Sequence, residues 1–162
     1  MFRRAIAATP RYLARLALAG GLAAALAACS MGGGAPLSPG LSAPMNQPGA
    51  QLSRVEALFL LNDFRRAQGA TDVRGDTVLD NTAQSLATAY AKSGTPPVMP
   101  AGIVVMRVSA GYNSFAEAFS GWRAVPADAA AISERSAKRA GLGVAYEPNS
   151  THGVYWVLLL DD

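Results

Sequence analysis

The chain has 162 residues, one histidine and one cysteine, with 14 basic side chains against 11 acidic ones. A single cysteine excludes an internal disulfide framework, and the length suits one ordinary domain plus accessory sequence. Arg3, Arg4, Arg11 and Arg15 all lie near the start, so the remainder carries ten basic residues against eleven acidic ones and offers no electropositive surface for nucleic acid; Arg135, Lys138 and Arg139, the nearest thing to a basic cluster, read as a solvated helix face.

The first element in chain order is a leader. Met1 to Arg15 carries those four arginines and no acid, Leu16 to Ala28 is an unbroken run of Leu, Ala and Gly, and Cys29 follows, which is the order of a signal peptide. Its 13 apolar residues are too few to span a bilayer, which takes roughly 20 residues of helix. Leu26-Ala27-Ala28-Cys29 resembles a lipobox, where lipoprotein signal peptidase cuts before a cysteine that accepts lipid. The expected partner of Cys29 is therefore the membrane, through that lipid. Cleavage after Ala28 as an ordinary secretory signal, leaving a free thiol, is the alternative. Ser30 rather than an aspartate follows the cysteine, as in lipoproteins sorted to the outer membrane and facing the periplasm of a Gram-negative envelope. Ser30 to Ala50 is rich in Gly, Pro and Ser, has no charge, and reads as a flexible tether. The expected organisation is a lipoprotein signal peptide at 1–28, a tether at 29–50 and a folded domain at 51–162.

The folded part opens with Ser53-Arg54-Val55-Glu56, the spacing of a capping box. It predicts a helix over 54–68 that turns Val55, Leu58, Phe59, Asn62 and Arg66 to one face and stops at Gly69. Leu79, Ala83, Leu86 and Tyr90 predict a second helix over 78–93, ended by Gly94 and Pro96-Pro97. Ile103 to Met106 is a short β-branched run that predicts a buried strand. Ser114-Phe115-Ala116-Glu117 is another capping box, opening a helix with Phe115, Ala118, Phe119 and Trp122 on one face and a stop near Pro126. Asp128 is placed to cap a short helix through Ile132 towards Ala140, broken by Gly141. Strands over 142–146 and 154–160 close the chain as a hairpin across the turn from Glu147 to Gly153. Because Trp156 to Leu160 is apolar on both parities, helices are expected on both faces of a small, mostly antiparallel sheet, an α+β fold.

Several of these pieces, in this order, resemble the CAP superfamily of cysteine-rich secretory proteins, antigen 5 and pathogenesis-related proteins. The resemblance spans about Leu58 to Leu160. Leu61-Asn62-Asp63-Phe64-Arg65 is similar to the L-N-x-x-R of bacterial members, and Leu79 to Ala87 to their L-x-x-x-A-Q-x-x-A helix. Ala110-Gly111-Tyr112, Gly121-Trp122, the turn and short helix from Pro126 to Ile132, Gly141 to Ala145 and Tyr155-Trp156 follow in the family's sequence. The resemblance implies a three-layer α-β-α sandwich.

It also implies a polar cleft, built in the family from two histidines with acidic partners and able in some members to hold a metal. This chain departs from that pattern. No histidine stands between Tyr90 and Gly102, Met106 occupies the place of a glutamate, and Asp128 occupies the place of the second histidine. Leu86, Met106, Trp122 and Asp128 are the candidate cleft residues. Asp128 reads either as a lone ligand or as a helix cap, and one carboxylate leaves most of a zinc ion's coordination to water, so no metal and no cofactor is expected. His152 is the one possible imidazole base, in a turn beside Asn149, Ser150 and Thr151 whose turn chemistry already accounts for the cluster. No catalytic residue is assigned. The expected function is a non-catalytic binding module for an apolar ligand or an envelope protein. A hydrolase of envelope material is the alternative, without an identifiable nucleophile and base, and so is a purely structural envelope lipoprotein. A pocket lined by Leu86, Met106 and Trp122 would favour binding; a filled cleft would favour the structural reading.

Overall fold

The computed structural model describes residues 37–162. The signal sequence and Cys29 lie outside the described residues, as does the tether up to Pro36. The second half of the segment read as tether belongs to the folded body. Helix α1 (Pro39–Ser42) and the strap that follows it bury Leu41 and Met45 in the main core. The Met45 amide donates to the Asn113 carbonyl at 2.7 Å, and Ser38 Oγ donates to Glu56 Oε2 at 2.5 Å. Two well-placed apolar side chains among Gly and Pro have no periodicity to reveal them, so composition pointed to a tether.

Helix α2 (Arg54–Ala67) lies where the sequence put it, but its start and its buried face differ. Ser53 makes no side-chain cap, and the carboxylate that would make the return bond of the box is engaged by Ser38 instead. The buried face is Ala57, Leu61, Asn62 and Arg65, while Val55 and Phe59 stand 81% and 67% exposed. A charged arginine inside the helix turned the apolar pattern by about one position.

Strand β1 (Arg74–Gly75) leads into helix α3 (Thr77–Ser93). Asp76 caps α3, its carboxylate accepting from the amides of Val78 and Leu79; these bonds hold its pKa below the ordinary value. Gly94 ends the helix at φ 67°, in the left-handed region that glycine adopts without a Cβ penalty. Strand β2 (Val105–Ala110) starts two residues later than the apolar run suggests and extends four further. Helix α4 (Phe115–Ala124) carries the complete capping box of Ser114 and Glu117 and buries Phe115, Ala118, Phe119 and Trp122 as expected. Helix α5 (Pro126–Ile132) begins on its proline with Val125 at the cap, so Asp128 sits in the first turn and caps nothing. It ends at Ile132. Gly141, read as the helix breaker, instead lies inside strand β3 (Arg139–Tyr146), which pairs with β4 (Val154–Asp161).

The sheet runs β1-β3-β4-β2. β4 is antiparallel to both neighbours, with Leu142 opposite Leu158 and Val105 opposite Leu160, and β1 adds a two-residue parallel pairing to β3. Residues of β4 alternate between two cores. Val154, Trp156, Leu158 and Leu160 join Leu61, Phe115, Phe119 and Ile132 on one side; Val157 and Leu159 meet Ala83 and Ala87 on the other, beside Tyr155 with Tyr90. The result is the expected α+β sandwich of three layers, α3 on one face and the remaining helices on the other. Helix α3 lies unusually close to β3: a Cβ on Gly141 would collide with the Leu79 carbonyl group, and one on Gly143 with that of Ala83.

Candidate functional site

The four candidate cleft residues do not converge. In an antiparallel pair, opposite residues share a face, and Met106 lies opposite Leu159, so it packs with Leu86 on the α3 side. Trp122 belongs to the other core, 3% exposed and set edge-to-face on Phe115, with Nε1 donating to the Val108 carbonyl at 3.4 Å. Asp128 faces that same side, where its Oδ1 lies 3.0 Å from Nε of Arg107. The sheet therefore separates the pairs, and on the side where Trp122 is packed in the core Asp128 forms a half-buried ion pair with Arg107. An arginine two positions from a serine on β2 gave no sign that it would meet Asp128, 21 residues later in the chain.

The other quoted motifs are scaffold. Asn62 exchanges two hydrogen bonds with the backbone of Val73, at 2.8 and 2.9 Å. Arg65, fully buried, donates to the carbonyls of Thr71, Ile132, Glu134 and Ala137 and so ties α2 to the loop before β1, the end of α5 and the loop before β3. Burial lowers its pKa from the ordinary guanidinium value, with Asp72 and Glu134 acting in the opposite direction. Tyr112 lies across Gly121, where a Cβ would come within 2.5 Å of the phenol oxygen, and its carbonyl accepts from Trp156 Nε1 at 2.9 Å. His152 is exposed in the hairpin turn, its ring 6.1 Å from that of Tyr155. The Tyr155 hydroxyl is buried without a hydrogen-bond partner, and burial, with Tyr155 adding to it, raises the pKa of neighbouring Tyr90. Among the described residues no group of three His, Cys, Asp or Glu side chains is arranged to hold a metal, and no helix is long and apolar enough to cross a membrane.

Open space lies instead beside β3. A groove of about 420 Å³ runs between the strap from Met45 to Ala50 and the α3 residues Gln84 and Thr88, with Val144 to Tyr146 as its floor. It adjoins a second space of about 300 Å³ at Ala50 to Leu52, again against Gln84 and Val144. Gln84 binds this strand directly: Nε2 donates to the Val144 carbonyl at 2.7 Å, and the Val144 amide donates to Oε1 at 3.4 Å. The sequence pattern included Gln84 without revealing this role, and the strap could not be seen as a wall once it had been read as tether.

No family model and no curated protein matches the chain. Solved structures do. MpPR-1i, a pathogenesis-related-1 protein, aligns over 67% of this chain and 89% of its own at 21% identity, with a TM-score of 0.55. An outer surface protein from Borrelia burgdorferi aligns over 64% of this chain and 88% of its own at 13% identity, with a TM-score of 0.50. The chain shares the fold of these proteins, as its resemblance to the CAP superfamily implies. At these identities the likeness concerns the fold alone and does not extend to the Arg107–Asp128 pair or the β3 groove.

Proposed function

We propose that the protein is a lipid-anchored binding module of the cell envelope, without catalytic activity, that holds a protein partner in the groove beside β3. The signal sequence and lipobox support the anchor at Cys29 and a site at the outer membrane. The fold supports a CAP-like envelope domain, in keeping with the name of the Borrelia surface protein. The observation that carries the binding role is the groove itself, walled by strap and helix and lined by both polar and apolar groups, which suits a polypeptide better than a buried apolar ligand. The filled cleft at Trp122 favours a purely structural lipoprotein as the second reading. A hydrolase gains nothing from an exposed His152 in a turn.

The anchor is tested by fractionating cells that make Cys29→Ser and weighing the intact wild-type protein. The expected outcome is loss of the variant from the membrane and a lipid mass on a wild-type chain that begins at Cys29; equal membrane retention, or an unmodified thiol, contradicts it. Organic extraction of the purified protein separates the ligand classes, since a stoichiometric lipid released from the folded domain would replace the protein partner with an apolar ligand.

A further inference from the structure

Strand β3 is an edge strand over most of its length. β1 covers it only at Arg139 and Ala140, and the amides of Arg74 and Asp76 reach the carbonyls of Lys138 and Ala140. Backbone groups alternate sides along a strand, so Leu142, Val144 and Tyr146 also direct theirs outward, past the end of β1. An open edge ordinarily invites pairing with another chain. Here side chains stand in for the missing strand. Leu142 donates to Asp80 Oδ1 at 2.8 Å and accepts from Arg54 Nε at 3.3 Å; Val144 is bound by Gln84, whose carboxamide is chemically a peptide unit.

Space for a strand lies along this edge. The two spaces at the strap continue past Arg54 into an apolar one of about 130 Å³ against Val55, Leu58 and Leu142. From Ala140 to Tyr146 the edge is about 20 Å long, at roughly 3.4 Å per residue. Its floor is recessed, with Val144 and Tyr146 half-buried between strap and α3. Two recessed edges cannot meet, so the geometry does not suit a second copy of the domain joined β3 to β3. A single extended chain fits.

We infer that this edge takes an extended, uncharged segment of a partner polypeptide as an added strand, displacing the Gln84 carboxamide from Val144 and the Asp80 and Arg54 side chains from Leu142, and setting an apolar side chain over Val55, Leu58 and Leu142. The inference rests on the reading of the domain as a binding module and names its partner's chemistry. Main-chain hydrogen bonds supply the contact and the apolar space supplies selectivity, the usual division in strand addition. Exchanging one set of hydrogen bonds for another gains little, so affinity depends on that side chain and is modest.

The test uses the full chain extracted in detergent and a fluorescent octapeptide of alternating valine and threonine, followed by anisotropy. Two isomers, N-methylated at alternate amides in opposite phases, each block one edge of the peptide. The expected result is about tenfold or more weakening by one phase and little by the other, with tighter binding by Gln84→Ala, in which the competitor is gone. Circular dichroism checks that the variant is folded. Equal binding of both isomers, or no binding of any peptide by either protein up to about 1 mM, overturns strand addition. A peptide-free dimer strengthened by Gln84→Ala would overturn it in favour of a second copy. If the peptides fail while the groove still crosslinks to a partner in cells, strand addition alone is lost; if both fail, the binding module is lost with it.

Discussion

Arg65 shows how a charged residue can hold a fold together from inside its core. A guanidinium offers five donors in a rigid plane, and here they meet four carbonyls from three segments: Thr71 before β1, Ile132 at the end of α5, and Glu134 and Ala137 before β3. The expected outcome of Arg65→Met is destabilisation of about 3 kcal/mol or more, since the side-chain volume is kept but several buried carbonyls lose their donors. Arg65→Lys should recover little of that loss, because an ammonium cannot span three segments. Urea unfolding of both variants measures this, and a lysine variant as stable as the wild type would show that charge alone matters. The sequence placed Arg65 within a recognisable L-N-x-x-R pattern, yet helix periodicity assigned the face to Arg66. Periodic reasoning treats charge as an outward marker, and it fails where backbone carbonyls converge to receive one.

At the level of elements, the contact of α3 with β3 is set by absent side chains. Gly141 and Gly143 let the helix backbone approach the strand, and a methyl group at either position has nowhere to go but into main chain. Gly143→Ala is expected to cost about 1–3 kcal/mol by overpacking, read as a lower urea midpoint with little change in slope. The same substitution at Gly94 would test backbone strain rather than space, since a Cβ there meets nothing within 4 Å. The strap makes a second element-level prediction. A chain starting at Gln51 lacks Leu41 and Met45, and burial of two such side chains stabilises by about 3 kcal/mol or more, so it should unfold well before a chain starting at Leu37. The intact strap should also resist protease between residues 41 and 50. Equal stability of the two chains would return the domain boundary to residue 51. Capping boxes show the same limit of local signals. Ser114 and Glu117 form theirs, Glu117 accepting from the Asn113 amide as well, whereas Glu56 is drawn to Ser38 from a segment 18 residues earlier.

For the whole molecule, the sandwich was legible because β4 is apolar on both faces and the helices around it are strongly patterned, and both facts are written in consecutive residues. The site was not. Whether Met106 and Trp122 share a cleft depends on which face of the sheet each occupies, and strand register fixes that only after the chain is folded. The groove that replaces the expected cleft is built from a strap without periodicity and from the outward backbone of β3, neither of which has a side-chain signature. What distinguishes a protein that works at this groove from one that works at the Trp122 cleft is where a partner touches it. Photocrosslinking in intact cells, with a photoreactive residue placed in turn at Thr88 in the groove and at Asp128 beside the filled cleft, separates them. The account predicts a discrete adduct from Thr88, diminished by the neighbouring change Gln84→Trp, and none from Asp128; an adduct from Asp128 alone would contradict it.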